Sequence, residues 1–130
     1  MKKIIFQVGL SGIWIAVSEF VRNEMIFKHL WVQHYNELGI VFKTEPLNGF
    51  IWILWSFIVA FLIQRLNTKF STFETLALTW VVAFLLMWFV IGNLDVLPPT
   101  LLLFAVPLSV LEIVIAWWIQ HKMTFVRIKD

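Results

Sequence analysis

The sequence predicts an all-α membrane protein, a polytopic bundle of four transmembrane helices with an interfacial amphipathic helix between the first and second. Hydrophobic residues make up 61% of the chain and charged residues only 14%, whereas about half of a soluble domain is apolar. The apolar residues form four runs, each close to the roughly 20 residues that cross a hydrocarbon core of about 30 Å. We therefore expect residues 1–130 to form a single integral membrane domain.

Each apolar run is expected to be a helix, because the backbone in lipid must satisfy its own hydrogen bonds. Pro46 fits the first turn of the second helix, and Ser71 or Thr72 can cap the third. Pro107 lies inside the fourth run and should kink it unless neighbouring groups satisfy the freed carbonyl. The predicted spans are 4–22, 47–66, 73–93 and 100–120.

The connector after the first span predicts a fifth helix over about 24–38. Apolar residues recur there at helical spacing and polar residues occupy the other side, which is typical of a helix lying on a membrane surface. His34 falls on the apolar side of the helical wheel, so we expect it to point inward. The simpler alternative is that this helix only covers the bundle. Its apolar positions are Ile26, Phe27, Leu30, Trp31, Tyr35 and Leu38.

The basic residues predict the orientation of the spans. Seven of the ten lie on the side of the chain termini and three lie on the other side, so the positive-inside rule places both termini in the cytoplasm. Lys2 and Lys3 imitate the start of a signal peptide, but no small-residue cleavage site ends the run that follows. We therefore expect a mature first span in a bacterial cytoplasmic (inner) membrane. The three outer basic residues are Arg22, Lys28 and Lys43.

One face of the first helix combines small residues with ionisable ones. Gly12, Ala16, Glu19 and Asn23 fall within one narrow face, with Arg22 beside it. Small residues four apart let another helix approach closely, so we expect Glu19 to face protein. The alternative is a local pair of Glu19 and Arg22 that neutralises itself at the interface.

The fourth helix repeats this pattern with a deeper acid. Ser109 and Glu112 share a face with Ala105 and Ala116, and Glu112 lies roughly 18 Å into the span at about 1.5 Å per residue. An acid at that depth is a functional candidate. The alternative is a protonated packing residue that is hydrogen-bonded to a hydroxyl such as Thr79.

Neutral polar residues could line the same interior. Asn48 and Asn93 should lie at the outer end, level with Glu19, Arg22 and Asn23. These positions predict a polar funnel that opens outward with Glu112 near its floor. The candidate ligand-binding residues are Glu112, Glu19, Arg22, Asn23, His34, Asn48 and Asn93.

The sequence lacks the residues that metal sites, disulfides and haem sites require. The chain has no cysteine, so it offers no thiolate metal site and no disulfide, and no metal-binding spacing of histidines occurs. The histidines are not placed to face one another across a haem. We expect no cofactor, no metal and, without a basic stripe, no nucleic-acid partner.

Three functions from different classes remain open. The first is the binding or transport of a small amphipathic or cationic solute, and the second is an accessory subunit that docks a partner membrane helix. The third is an enzyme acting on a lipid-like substrate with Glu19, Arg22 and His34, although a non-enzyme is favoured. We also expect a homodimer, because four spans enclose little volume and Gly9, Gly12 and Ala16 could face a second copy.

Overall fold

The computed structural model describes residues 2–125 and has the predicted all-α architecture. Four helices are long and apolar enough to cross a membrane, and a short helix lies between the first and second. The predicted fold class is therefore confirmed. The helices are α1 (Lys2–Ile26), α2 (Lys28–Glu37), α3 (Pro46–Leu66), α4 (Thr72–Asn93) and α5 (Leu102–Phe125), the last preceded by a 3₁₀ turn at Pro99–Leu101.

The first helix continues beyond its predicted end at residue 22, and its last turn is π-helical. This turn covers Val21–Ile26, and the amide of Phe27 closes it by donating to the carbonyl of Arg22 at 2.9 Å. The connector helix consequently begins at Lys28. Because π-helical turns are rare and concentrate at functional sites, the segment that carries Arg22 is of interest.

Local signals in the sequence account for where α3 and α4 begin. Pro46 is the first residue of α3, where its missing amide hydrogen removes no helical bond. Ser71 caps α4 in a capping box, in which its backbone amide donates to the carboxylate of Glu74 at 2.9 Å. Pro107 lies within α5 without ending it.

The bundle is held together by close helix packing around small residues. Helices α1 and α4 each pack against both α3 and α5. A Cβ atom added to Gly12 would lie 2.6 Å from a ring carbon of Phe57 on α3, whereas one added to Gly9 would meet nothing within 4 Å. Gly12 therefore serves packing within the chain.

The two ends of the bundle differ in what they carry. One end, here called the terminal end, contains the start of α1 and the end of α5. There the side-chain amide of Gln7 donates to the backbone carbonyl of Gln120 at 2.9 Å. The other end carries α2 and is called the α2 end. Large apolar side chains such as Phe73 and Leu103, which are 80% and 76% exposed, cover the outside of the bundle, as expected of helices in contact with lipid.

Candidate functional site

The candidate site is a buried cluster of three charged side chains that is centred on Arg22. Its guanidinium lies between the carboxylates of Glu19 and Glu112: Nη2 donates to Oε1 of Glu19, and Nη1 donates to Oε2 of Glu112 at 3.2 Å. Arg22, Glu19 and Glu112 are 6%, 4% and 1% exposed. The carbon of the guanidinium lies 5.4 Å from the centre of the Phe84 ring, within the range of a cation–π contact. This three-residue set is called the charged cluster below.

Antiparallel packing of α1 and α5 brings Arg22 and Glu112 together. The indole of Trp14 donates to the backbone carbonyl of Glu112 at 3.1 Å, and the hydroxyl of Ser18 donates to its Oε2 at 3.0 Å. Glu112 thus lies level with the middle of α1. Helical side chains lean toward the N-terminus of their own helix, so the long side chain of Arg22 extends back along α1 to reach it.

Asn23 extends the charged cluster toward α2. Its amide nitrogen donates to Oε2 of Glu19 at 2.8 Å, and its amide oxygen accepts from the indole of Trp31 at 3.1 Å. Both carboxylate oxygens of Glu19 therefore have partners. The side chains of Asn23 and Trp31 link the charged cluster directly to the short helix.

Two π-helical segments border the charged cluster. The first, Val21–Ile26, carries Arg22, and the second, Val81–Leu85 in α4, carries Phe84. The cation–π contact therefore joins the two π-helical segments, since one supplies the guanidinium and the other supplies the ring. A π-helical turn shifts the residues after it around the helix, and such turns recur at functional sites, which makes this location a candidate site.

The charged cluster contains one carboxylate more than it has cations to pair. Among the described residues, Arg22 is the only basic residue that is buried, whereas two acidic residues, Glu19 and Glu112, are buried. Oε1 of Glu112 is buried and has no hydrogen-bond partner within residues 2–125. Because an unpaired charge away from water is costly, the arrangement favours one further positive charge beside Glu112, supplied by a proton or by a bound cation.

No protein family, curated protein or solved structure matches the chain. What the site can do therefore follows from its own geometry and chemistry.

The other predicted site residues lie apart from the charged cluster. His34 has its Nε2 atom 2.6 Å from the carbonyl oxygen of Asp95 and so connects α2 to the loop between α4 and α5. The amide of Asn48 donates to the carbonyl of Lys43 at 3.2 Å, and Asn93 is exposed. Among residues 2–125, these three predicted ligands make no hydrogen bond to the charged cluster.

In this conformation the described residues close over Glu112, the predicted floor of the funnel, which is only 1% exposed. The α2 end is held against the bundle by apolar contacts. Phe27, just before α2, is buried and stacks on Phe104 of α5 with ring centres 5.4 Å apart. Together with the hydrogen bond from Trp31 to Asn23, this packing holds α2 down on the side from which the funnel was expected to open.

A second polar group, at the terminal end, was not predicted from the sequence. The amide of Gln120 donates to the hydroxyl of Ser11 and to the carbonyl of Ala60, each at 2.8 Å. Gln7 and Ser11 are four residues apart on α1, and this spacing was the available signal for a polar face. Beside them is a cavity of about 300 Å³, called the glutamine cavity, lined by Lys3, Ile4, Gln7, Gln64, Asn67, Thr68 and Gln120.

Proposed function

We propose that this protein binds a small amphipathic cation at the charged cluster in exchange for a proton, and that it carries this solute across the membrane. The observation that supports the proposal is the excess buried carboxylate: Oε1 of Glu112 has no hydrogen-bond partner in the described part of the chain. A cluster with two carboxylates and one guanidinium can accommodate one more positive charge without leaving an unpaired cation.

Charge balance means that the charged cluster holds either a proton or the cationic solute, but not both. With a proton on one carboxylate the charged cluster is neutral, and a bound cation would then add an uncompensated positive charge in a medium of low dielectric constant. With the proton removed, the cation restores neutrality. Binding of the solute therefore releases a proton, and a gradient of one species can drive movement of the other.

The surroundings of Arg22 indicate the chemistry of the solute. Its guanidinium contacts carboxylates at its edge and the ring of Phe84 at its face. Trp88 is also buried, with its ring centre 5.6 Å from that of Phe84 and 6.0 Å from that of Trp80. Carboxylates beside aromatic rings favour a cation that carries an apolar body.

The solute enters from the α2 end in this proposal. Every α2 side chain is at least partly exposed, and weakly buried segments open at low free-energy cost. The side-chain bonds that α2 residues make to the rest of the bundle include those of Trp31 to Asn23 and of His34 to the Asp95 carbonyl. With the termini in the cytoplasm, as the basic residues favour, this entrance faces outward.

Calorimetric titration tests the proposal on the purified protein in lipid nanodiscs. The probe is phenylguanidinium, a planar cation with an apolar ring, titrated at neutral pH in two buffers with different enthalpies of ionisation. We expect saturable binding with proton release. Glu112→Gln should weaken binding at least tenfold and abolish the release, because an amide neither ionises nor attracts the cation as strongly.

The matched control is Glu74→Gln, which changes an exposed acid at the start of α4. Glutamine still serves at this position of a capping box, so binding and proton release should stay at wild-type values. The proposal fails if wild-type protein does not bind the probe. It also fails if Glu112→Gln binds like wild type, an outcome that would favour the accessory-subunit hypothesis.

A further inference from the structure

Four buried side-chain polar atoms lack a hydrogen-bond partner among the described residues: Oε1 of Gln64, Oγ1 of Thr75, Oγ1 of Thr79 and Oε1 of Glu112. We infer that these atoms line a hydrated route by which protons pass between the glutamine cavity and Glu112. The inference extends the proposed function, because it assigns the proton exchanged at Glu112 an entrance of its own. That entrance lies at the opposite end from α2.

Gln64 and Thr75 lie at similar depths from the terminal end. Helix α3 ends at Leu66 and α4 begins at Thr72, so each of the two residues lies about one turn from the connection between these helices. Gln64 also lines the glutamine cavity. The route thus starts at the cavity wall and reaches its first hydroxyl at the same level.

A hydrogen bond between α4 and α5 places Glu112 at the same depth in the bundle as the two threonines. The indole of Trp80 donates to the hydroxyl of Ser109 at 2.9 Å. Because the helices are antiparallel, Glu112, three residues after Ser109, lies level with the position three residues before Trp80. That position is midway between Thr75 and Thr79, so Glu112 is within about 3 Å in depth of each.

The threonine hydroxyls differ from other buried hydroxyls of the bundle. Ser11 and Ser56 donate to the carbonyl four residues earlier, at 2.7 Å and 2.8 Å, which is the usual way to satisfy a hydroxyl in a helix. Thr75 and Thr79 are 0% exposed and make no such bond. Buried polar groups without a protein partner are ordinarily satisfied by internal water.

Water and hydroxyls together can relay protons. A hydroxyl accepts a proton from one neighbour while it gives its own proton to the next, so Thr75 and Thr79 are unchanged after each transfer to Glu112. The cavity volume of about 300 Å³ far exceeds the roughly 10–15 Å³ that a single water molecule needs. The charged groups around Glu112 are Arg22 and Glu19 of α1, and α3 and α4 add no charged side chain to the buried set.

Cysteine reactivity tests whether the route holds water, independently of any solute. The chain has no native cysteine, so Thr75→Cys and Thr79→Cys each create one reporter thiol. We expect 2-aminoethyl methanethiosulfonate to modify both in nanodiscs, since only a hydrated thiol ionises and reacts. Ala83→Cys is the matched control: it is also buried, one turn farther from the terminal end, and should react at least tenfold more slowly.

Proton flux tests the role of the hydroxyls. In proteoliposomes with an internal pH dye, the double variant Thr75→Val and Thr79→Val should reduce phenylguanidinium-driven proton flux at least tenfold while equilibrium binding stays within twofold of wild type. Ser56→Ala removes a hydroxyl that already has a partner, so it should leave the flux unchanged. If the wild-type protein does not bind phenylguanidinium, the proposed function is contradicted. If the double variant binds it normally and its proton flux is undiminished, the route is contradicted. Thr79→Cys as inert as Ala83→Cys also contradicts it, whatever the flux.

Discussion

The charged cluster allows a quantitative prediction about two substitutions that change its net charge in opposite directions. Glu19, Arg22 and Glu112 together carry one excess negative charge when ionised. Glu112→Gln makes the cluster neutral, whereas Arg22→Gln leaves two buried carboxylates without a cation. We therefore expect Arg22→Gln to destabilise the fold far more than Glu112→Gln, although each removes one charged group.

The burial of the partners sets the size of the difference. Glu19 and Glu112 are 4% and 1% exposed, so bulk solvent does not take the place of the lost guanidinium. Removing one partner of a buried ion pair costs about 3–5 kcal/mol, equivalent to roughly two to nearly four orders of magnitude in the unfolding equilibrium constant. Glu112→Gln loses a bond from Arg22 but also removes the excess charge, so we expect a change within about 1 kcal/mol.

Unfolding by sodium dodecyl sulfate in mixed micelles can measure these changes through the fluorescence of the eight tryptophans. The double variant, Arg22→Gln with Glu112→Gln, returns the cluster to one negative charge and should recover part of the stability lost in Arg22→Gln. Lower pH should also reduce the stability difference between the two single variants, since protons then neutralise the buried carboxylates that lack a cation in Arg22→Gln. Equal destabilisation by the two single substitutions would refute this charge balance.

Two further predictions concern packing and capping. Gly12→Ala should destabilise the bundle by about 1–3 kcal/mol, because its Cβ would lie 2.6 Å from the ring of Phe57. The Cβ of Gly9→Ala would meet nothing within 4 Å among the described residues, so this variant should be at least as stable as wild type in the same assay, since alanine favours a helix more than glycine does. Equal destabilisation by the two substitutions would argue against this packing. Ser71→Ala should lower the free energy of unfolding by about 1 kcal/mol, because it removes the hydrogen bonds between the hydroxyl and Glu74. Ser71→Thr keeps a hydroxyl and should retain most of that stability in the same measurement. An alanine variant as stable as wild type would show that the cap is dispensable.

Sequence patterns predicted part of the candidate site. Small residues beside Glu19 and Glu112 indicated that both acids face protein, and both are buried. His34, Asn48 and Asn93 were grouped with them by their expected depth, but a helical wheel does not specify which neighbouring helix a side chain meets. Their bonds lie elsewhere, so depth along the bundle alone was an insufficient guide to contact.

The sequence by itself determined the four helices and the connector helix, for a physical reason. A backbone in lipid has no solvent to bond, so a run of about 20 apolar residues must form a helix wherever its neighbours lie. Local chemistry likewise placed the starts of α3 and α4, because Pro46 and Ser71 act within a single turn. These features depend on residues close together in the chain.

Only the tertiary structure decided the composition of the charged cluster. Arg22 and Glu112 are 90 residues apart in sequence, and their pairing requires the antiparallel register of α1 and α5. It also requires the π-helical turns that carry Arg22 and Phe84, for which the sequence has no simple periodic signal. Contacts of this kind depend on how whole helices rotate and slide against one another, and that choice is made by packing across the bundle.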